Sequence, residues 1–224
     1  MLRKTGDRII VLRQFPYKDN RRIVEAFTAS SGRKSFGLHV GKSKASASRR
    51  SVLRPPNLVE IEFTESSRFH PRITSAAWVH PYKSVYFDMR KTATALFMAE
   101  ILLNVSSAPE PELFKTAWDM FVRLDEEDYR PDFHLEFLRR FTELMGILPP
   151  EWEKGTIFDA SFSVKPVKNI REMFAYYIEH GRTRNRHDRY ALTRGWLDYL
   201  SYHLENFRTP ASFRIYHRIF DEKS

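Results

Sequence analysis

Cysteine is missing from all 224 positions. Its absence removes disulfides, cysteine-ligated zinc and thiol catalysis together. It suits the cytosol without fixing the compartment. A long hydrophobic run is also missing. The most apolar stretch, Ala93 to Leu103, is interrupted by Glu100 and is too short to span a bilayer. The opening MLRKTGDRII is charged and carries no apolar signal-peptide core. A soluble cytoplasmic protein with no membrane partner is expected.

Catalytic signatures are lacking as well. There is no glycine-rich phosphate loop of the nucleotide-binding kinds, no H-E-x-x-H and no G-x-S-x-G. His39, His70 and His80 stand singly, without ligand spacing. His134 and Glu136 are two apart and fall on different faces of a helix, so they make no metal pair. Asp125-Glu126-Glu127-Asp128 has the composition of a nuclease carboxylate cluster, but consecutive acids between helices read as a solvated turn. No metal, no cofactor and no enzymatic turnover are expected.

What is present is apolar bulk and unevenly placed positive charge. The chain has 18 Phe and 10 Tyr, enough to fill one large core or two smaller ones. Residues 1–54 hold 14 Lys and Arg against 3 Asp and Glu, whereas residues 55–150 hold 10 against 15. Solubility does not require such segregation. A field this lopsided draws a polyanion to one part of the molecule. An anionic membrane fits less well, because no basic amphipathic helix or lipidation signal accompanies the charge.

The first 80 residues read as strands. Arg8 to Arg13, Ile23 to Thr28 and Ser35 to Val40 are short runs rich in β-branched and aromatic residues, with a turn at Ser30-Ser31-Gly32-Arg33. Leu58 to Phe63 alternates cleanly, and Arg72 to Val79 supplies a fifth strand. Gly41 to Arg50 (GKSKASASRR) is small, polar and basic, and reads as a mobile loop. Five short strands suggest a small β-barrel; the pattern fits an OB-fold or an SH3-like barrel equally.

After His80-Pro81-Tyr82 the period becomes helical. Helices are expected around Ala93–Leu103, after Pro109-Glu110-Pro111-Glu112, around Leu138–Met145, and from Asn169, with Glu172 completing a capping box. A further helix runs from about Arg189 to Asn206, and a short last one uses Phe213, Tyr216 and Phe220. Residues 151–168 look like a small hairpin-like insertion. The fold class is α+β, with a barrel over 1–82 followed by an all-helical domain over 83–224.

The leading site candidates are Arg21, Arg22, Arg33, Lys34, Lys42, Lys44, Arg49, Arg50 and Arg54. Such cations pair with phosphates and release counterions, which gives affinity without reading sequence. Phe15, Tyr17 and Phe36 are candidates to stack on unpaired bases, worth about 1–3 kcal/mol per base. A second basic set, Arg182, Arg184, Arg186, His187, Arg189 and Arg194, lies before and within the first turns of a helix. There it opposes the helix dipole, so helix stability does not explain it. A second DNA contact and a solvated tether explain it equally well.

The ordered motifs resemble the RecO family of bacterial recombination mediators. They begin with Ile9-Ile10-Val11-Leu12, the turn and strand from Tyr17 to Val24, Phe27-Thr28 and Gly32-Arg33. Val40-Gly41-Lys42-Ser43-Lys44 is similar to that family's basic loop, and Leu53-Arg54-Pro55 to its Leu-Gln-Pro, with Arg in place of Gln. Asp88 to Lys91 with Leu96 to Leu102, Glu112-Leu113-Phe114, Phe141 with Leu144-Met145-Gly146 and Pro149, and Arg189 to Phe207 resemble its helices.

The resemblance implies a five-stranded OB-fold barrel followed by helices. It also implies binding of single- and double-stranded DNA, annealing of complementary strands and help in loading RecA. RecR and the acidic C-terminal tail of the single-strand binding protein are the implied partners, and the implied location is nucleoid-associated. Many members carry a four-cysteine zinc module where this chain has the cysteine-free stretch from Glu151 to Lys168, so zinc does not carry over. An RNA-binding accessory protein using the same barrel is the alternative reading. A metal-dependent nuclease using Asp125 to Asp128 is a more distant one.

Overall fold

The computed structural model describes residues 4–18, 20–65, 70–162 and 167–214. Five strands come first: β1 (Lys4–Pro16), β2 (Arg21–Thr28), β3 (Gly32–His39), β4 (Leu58–Thr64) and β5 (Arg72–His80). They close into a barrel in the order β1-β2-β3-β5-β4. Every pairing is antiparallel except the short parallel contact of β3 with β5 at Gly37 and Arg72. Five strands in this order form the OB-fold.

Inward-facing residues of all five strands, Ile9, Val11, Val24, Phe36, Leu38, Val59, Ile61, Phe63 and Ile73, make one buried cluster. The alternation that produces it is the period-2 signal read from the sequence. β1 breaks the pattern, because Ile10 and Leu12 are buried too. The second face of β1 lies under α2 (Met89–Leu102). Gly32 turns β2 into β3 with φ +64, and a Cβ there would meet the carbonyl oxygen of Ala108 at 2.0 Å. Only glycine fits both the backbone angle and this close approach of the 106–108 segment.

GKSKASASRR departs from its expected loop form. Lys44–Val52 is a helix, α1, set between β3 and β4. Only Ser46 and Val52 in it are buried, so the apolar period that announces a helix is missing. Polar bonds hold it instead. Ser43 Oγ caps the Ser46 N–H, Ser46 Oγ accepts from the Gly41 N–H at 2.7 Å, and Arg49 Nη1 donates to the Thr74 carbonyl at 3.0 Å.

The described chain falls into two compact units, Met1–Glu127 and Asp128–Ser224. The sheet ends at His80, yet the first unit continues through α2 and α3 (Pro111–Glu126), because Phe114 of α3 meets Phe27 of β2 edge-on at 5.5 Å. Pro111 starts α3 as expected. The acidic run at its end is not all solvated. Asp125 is buried, while Glu126, Glu127 and Asp128 are exposed.

The second unit contains α4 (Phe133–Leu144), α5 (Ile170–His180) and α6 (Arg186–His203). The expected hairpin is absent from the described part of 151–168. Trp152–Lys154, Thr156–Phe158 and Ala160–Phe162 are short 3₁₀ helices. Residues 163–166, which the hairpin reading included, lie outside the described residues.

Apolar packing anchors this cysteine-free stretch: Phe158 stands edge-on to Phe174 at 5.0 Å and to Trp196 at 6.2 Å. Gly195 permits the contact, since a Cβ there would come within 2.6 Å of the Phe158 ring. Asn169 precedes α5 in the left-handed region with φ 62 and makes no side-chain cap, so the capping box does not form. His134 is fully buried with Nε2 2.7 Å from Thr193 Oγ1. Burial, reinforced by Arg189, holds its pKa down at about 3, so the ring is neutral at physiological pH. Of the expected last helix, residues 212–214, including Phe213, are helical, while Tyr216 and Phe220 lie outside the described residues. Among the described residues, no helix is long and apolar enough to cross a membrane.

Candidate nucleic-acid interface

The nine N-terminal cations do not form one patch. β3 is eight residues long, so its ends stand about 23 Å apart. Arg21 lies at one end, paired across the β2–β3 register with His39. The β1–β2 hairpin closes beside it through Tyr17 N–H to the Arg21 carbonyl at 2.9 Å and Arg21 N–H to the Lys18 carbonyl at 2.8 Å. The Val40 N–H, donating to the Asn20 carbonyl at 2.7 Å, brings the start of the β3–α1 connection to the same turn. Lys42 and Lys44 follow directly and are exposed. α1 continues at this end of the barrel. Its C-terminal Leu53 carbonyl accepts from Gln14 Nε2, near the end of β1, at 3.1 Å. Arg50 and Arg54 on this segment are exposed.

Arg33 and Lys34 lie at the opposite end of β3 and are engaged. Arg33 Nε donates to the Val105 carbonyl at 3.2 Å, and its N–H to the Ser106 carbonyl at 2.9 Å. Lys34 Nζ pairs with Glu65 at 2.9 Å and sits 4.9 Å from the Phe63 ring centre. The two bound an open depression of about 540 Å³ shared with Ser31, Ser35, His70, Pro71 and Ser107. Arg22 and Arg49 are half-buried, each with its Nε out of solvent contact. Arg21, Lys42, Lys44, Arg50 and Arg54 are thus the exposed cations of the set. No carboxylate among the described residues forms an ion pair with them.

The rings sort equally clearly. Tyr17 is 46% exposed at the hairpin tip, with Lys18 Nζ 5.8 Å from its ring centre. Phe15 is half-buried on the outer face beneath Arg13, which is itself paired with Glu25 at 2.8 Å. Phe36 points inward and packs edge-on against Phe63 at 5.1 Å, so it offers no stacking surface.

The second basic set is partly structural. Arg184 pairs with buried Asp188 at 2.6 Å and lies over Tyr176 at 5.5 Å. Arg189 is 3.6 Å from Asp132, which also accepts the Thr183 N–H and hydroxyl. Arg182, Arg186 and His187 remain exposed, and Arg194 is half-buried. These bonds account for Arg184 and Arg189 at the helix start without a ligand.

Sequence reasoning missed the polar cluster around Asp125. Its buried carboxylate accepts the N–H groups of Lys83 at 3.0 Å, Ser84 at 2.8 Å and Val85 at 3.0 Å, and lies 3.0 Å from His80 Nε2. Lys91 Nζ donates to Ser84 Oγ at 2.7 Å and to the Asp125 and Glu127 carbonyls. Desolvation pushes the Asp125 pKa up, but the three backbone bonds and His80 outweigh it and hold it at about 2. This carboxylate, ionised at physiological pH, fixes the turn joining the barrel to α2. With every oxygen committed to that turn, Asp125 fits a structural role and not a nuclease's metal ligand.

A family model described as "Recombination protein O N terminal" matches residues 1–82. A Phocaeicola vulgatus protein named DNA repair protein RecO is 30% identical over 98% of this chain and 100% of its own length. Its namesake in Bacteroides fragilis is 35% identical over 74% of this chain and 72% of its own. In Flavobacterium psychrophilum the identity is 25% over 94% and 97%.

Proposed function

We propose, starting from the fact that this chain belongs to the RecO family of DNA repair proteins, that it is a recombination mediator whose barrel binds DNA by charge and carries no turnover of its own. A role in DNA repair and recombination follows from the family. The finer reading is that residues 1–82 form a DNA-binding module for single and double strands, that the protein anneals complementary strands, and that it assists RecA loading on coated DNA. RecR and the acidic tail of the single-strand binding protein are the partners in this reading, and the cytoplasmic nucleoid is its place of action.

The observation that carries the reading is the gathering of Arg21, Lys42, Lys44, Arg50 and Arg54 at one end of the barrel, exposed and without ion-pair partners among the described residues. Annealing requires two polyanions to approach each other. Neutralising phosphates lowers that barrier without ATP.

Complementary oligonucleotides should therefore anneal faster with this protein present and no nucleotide added. Strands coated with single-strand binding protein should show the same acceleration, and deleting the acidic tail of the coat should abolish it on coated strands only. Unaccelerated annealing of bare strands would contradict the proposal.

A further inference from the structure

Phe87 is the most exposed large apolar side chain among the described residues, at 86%. Its exposure does not come from a slack segment. The turn that carries it is tied at nearly every residue: Lys83, Ser84 and Val85 donate their N–H groups to Asp125. Thr92 Oγ1 donates to the Val85 carbonyl, and the Phe87 N–H to the Ser84 carbonyl at 2.9 Å. The Tyr86 hydroxyl donates to Asn57 Oδ1 at 2.6 Å. A buried, ionised carboxylate thus holds a turn whose apex presents a bare ring to water.

The turn that carries this ring also holds other rings, with a cation beside one of them. The Arg54 guanidinium lies 6.0 Å from the Tyr86 ring centre. His80, Tyr82 and Tyr86 form an edge-to-face series at 5.7 Å spacings. Lys83 is exposed, and Trp78 on β5 is 47% exposed. Asp88, next to Phe87, has both carboxylate oxygens on Arg90, which holds its pKa down. The exposed cations at the turn are Arg54 and Lys83, and the exposed acids Glu126 and Asp128 follow Asp125, to which the turn is bonded. A ring beside cations offers two kinds of contact at once. A nucleotide uses both, its base against the ring and its phosphate against the charge.

We propose that Phe87, next to Tyr86 in the turn, is a stacking platform for an unpaired base, with Arg54 and Lys83 holding the adjoining phosphates. The platform continues the line of exposed cations that starts at Lys42 and Lys44 and follows α1 to Arg54. A single strand therefore crosses the end of the barrel along α1 and finishes on Phe87. The inference rests on the reading that this cationic end binds DNA, and it adds a preference for unpaired bases, since a duplex keeps its bases inside the stack.

Binding of fluorescent oligothymidylate and of a duplex of equal length tests it, with Phe87→Ala, Phe87→Leu and Phe87→Trp beside the wild type. The ring is exposed, so all three should melt like the wild type. Phe87→Ala is expected to weaken single-strand binding by about five-fold or more, to leave duplex binding within about two-fold, and to be matched by Phe87→Leu but not by Phe87→Trp. Full affinity in Phe87→Leu would overturn base stacking in favour of a simple apolar contact. Unchanged affinity in Phe87→Ala, with binding lost in Lys42→Glu/Lys44→Glu, would overturn the platform and leave the cationic end standing. Unchanged affinity in both would overturn the platform together with the reading beneath it.

Discussion

The double substitution Lys42→Glu/Lys44→Glu should lower affinity for single-stranded DNA about 100-fold at low salt, with the fold intact. Each lysine lost removes a phosphate contact and its released counterion, and each glutamate added repels the strand. Stability should not confound the result, since both side chains are exposed. Lys44 opens α1, whose first turn has no acidic residue, so a glutamate there complements the helix dipole by about 0.3–1 kcal/mol. The variant should therefore melt at or slightly above the wild-type temperature while binding poorly in fluorescence anisotropy. Unchanged affinity would shift the interface to the second unit, where Arg182, Arg186 and His187 are exposed members of the other basic set.

Asp125→Ala should cost about 3–5 kcal/mol of stability, because it leaves three backbone donors, that of buried Val85 among them, without their acceptor and the cluster's cations without their buried anion. The N–H groups of Lys83, Ser84 and Val85 all depend on that carboxylate. The same residue sets part of the acid response. Its pKa is about 2 in the folded protein, below the ordinary carboxylate value. A group whose folded pKa is depressed stabilises the fold fully above its unfolded pKa, near pH 4. That contribution, roughly 2–3 kcal/mol, is lost as the pH falls toward 2. Urea unfolding at neutral pH and through this acid range reads both effects. The alanine variant should start less stable and show a flatter decline below about pH 4. A neutral-pH loss under about 1 kcal/mol would mean the turn finds other acceptors.

How much of this was legible in the sequence follows from the range of the interactions. The strands announced themselves, because Ile9, Val11, Val59 and Ile61 alternate into one core. The choice between an OB-fold and an SH3-like barrel was not legible from the pattern. It depends on β1 pairing with both β2 and β4, and on a single parallel contact between β3 and β5. α1 was hidden because side-chain hydroxyls and an arginine–carbonyl bond hold it in place of apolar residues. The 3₁₀ turns from Trp152 to Phe162 were hidden for a different reason. Their rings pack on α5 and α6, so local order follows from distant partners.

The candidate site shows the same division. The excess of charge in the first 54 residues was plain, but not which cations remain available. Lys34 is taken by Glu65, 31 residues away, and Arg33 by Val105, 72 residues away. Asp125 read as solvated because its run is acidic, whereas the turn some 40 residues earlier buries it. Phe87 gave no signal at all, since one aromatic before a helix is ordinary until its exposure is known.

The most direct test is the salt dependence of single-strand binding, measured side by side for the wild type and for Lys42→Glu/Lys44→Glu. With about six phosphates neutralised, the logarithm of the affinity should fall against the logarithm of salt with a slope of about −4, easing to about −3 in the variant. A wild-type affinity that stays flat as salt rises, or an identical slope in both proteins, would contradict a cationic barrel end as the seat of DNA binding.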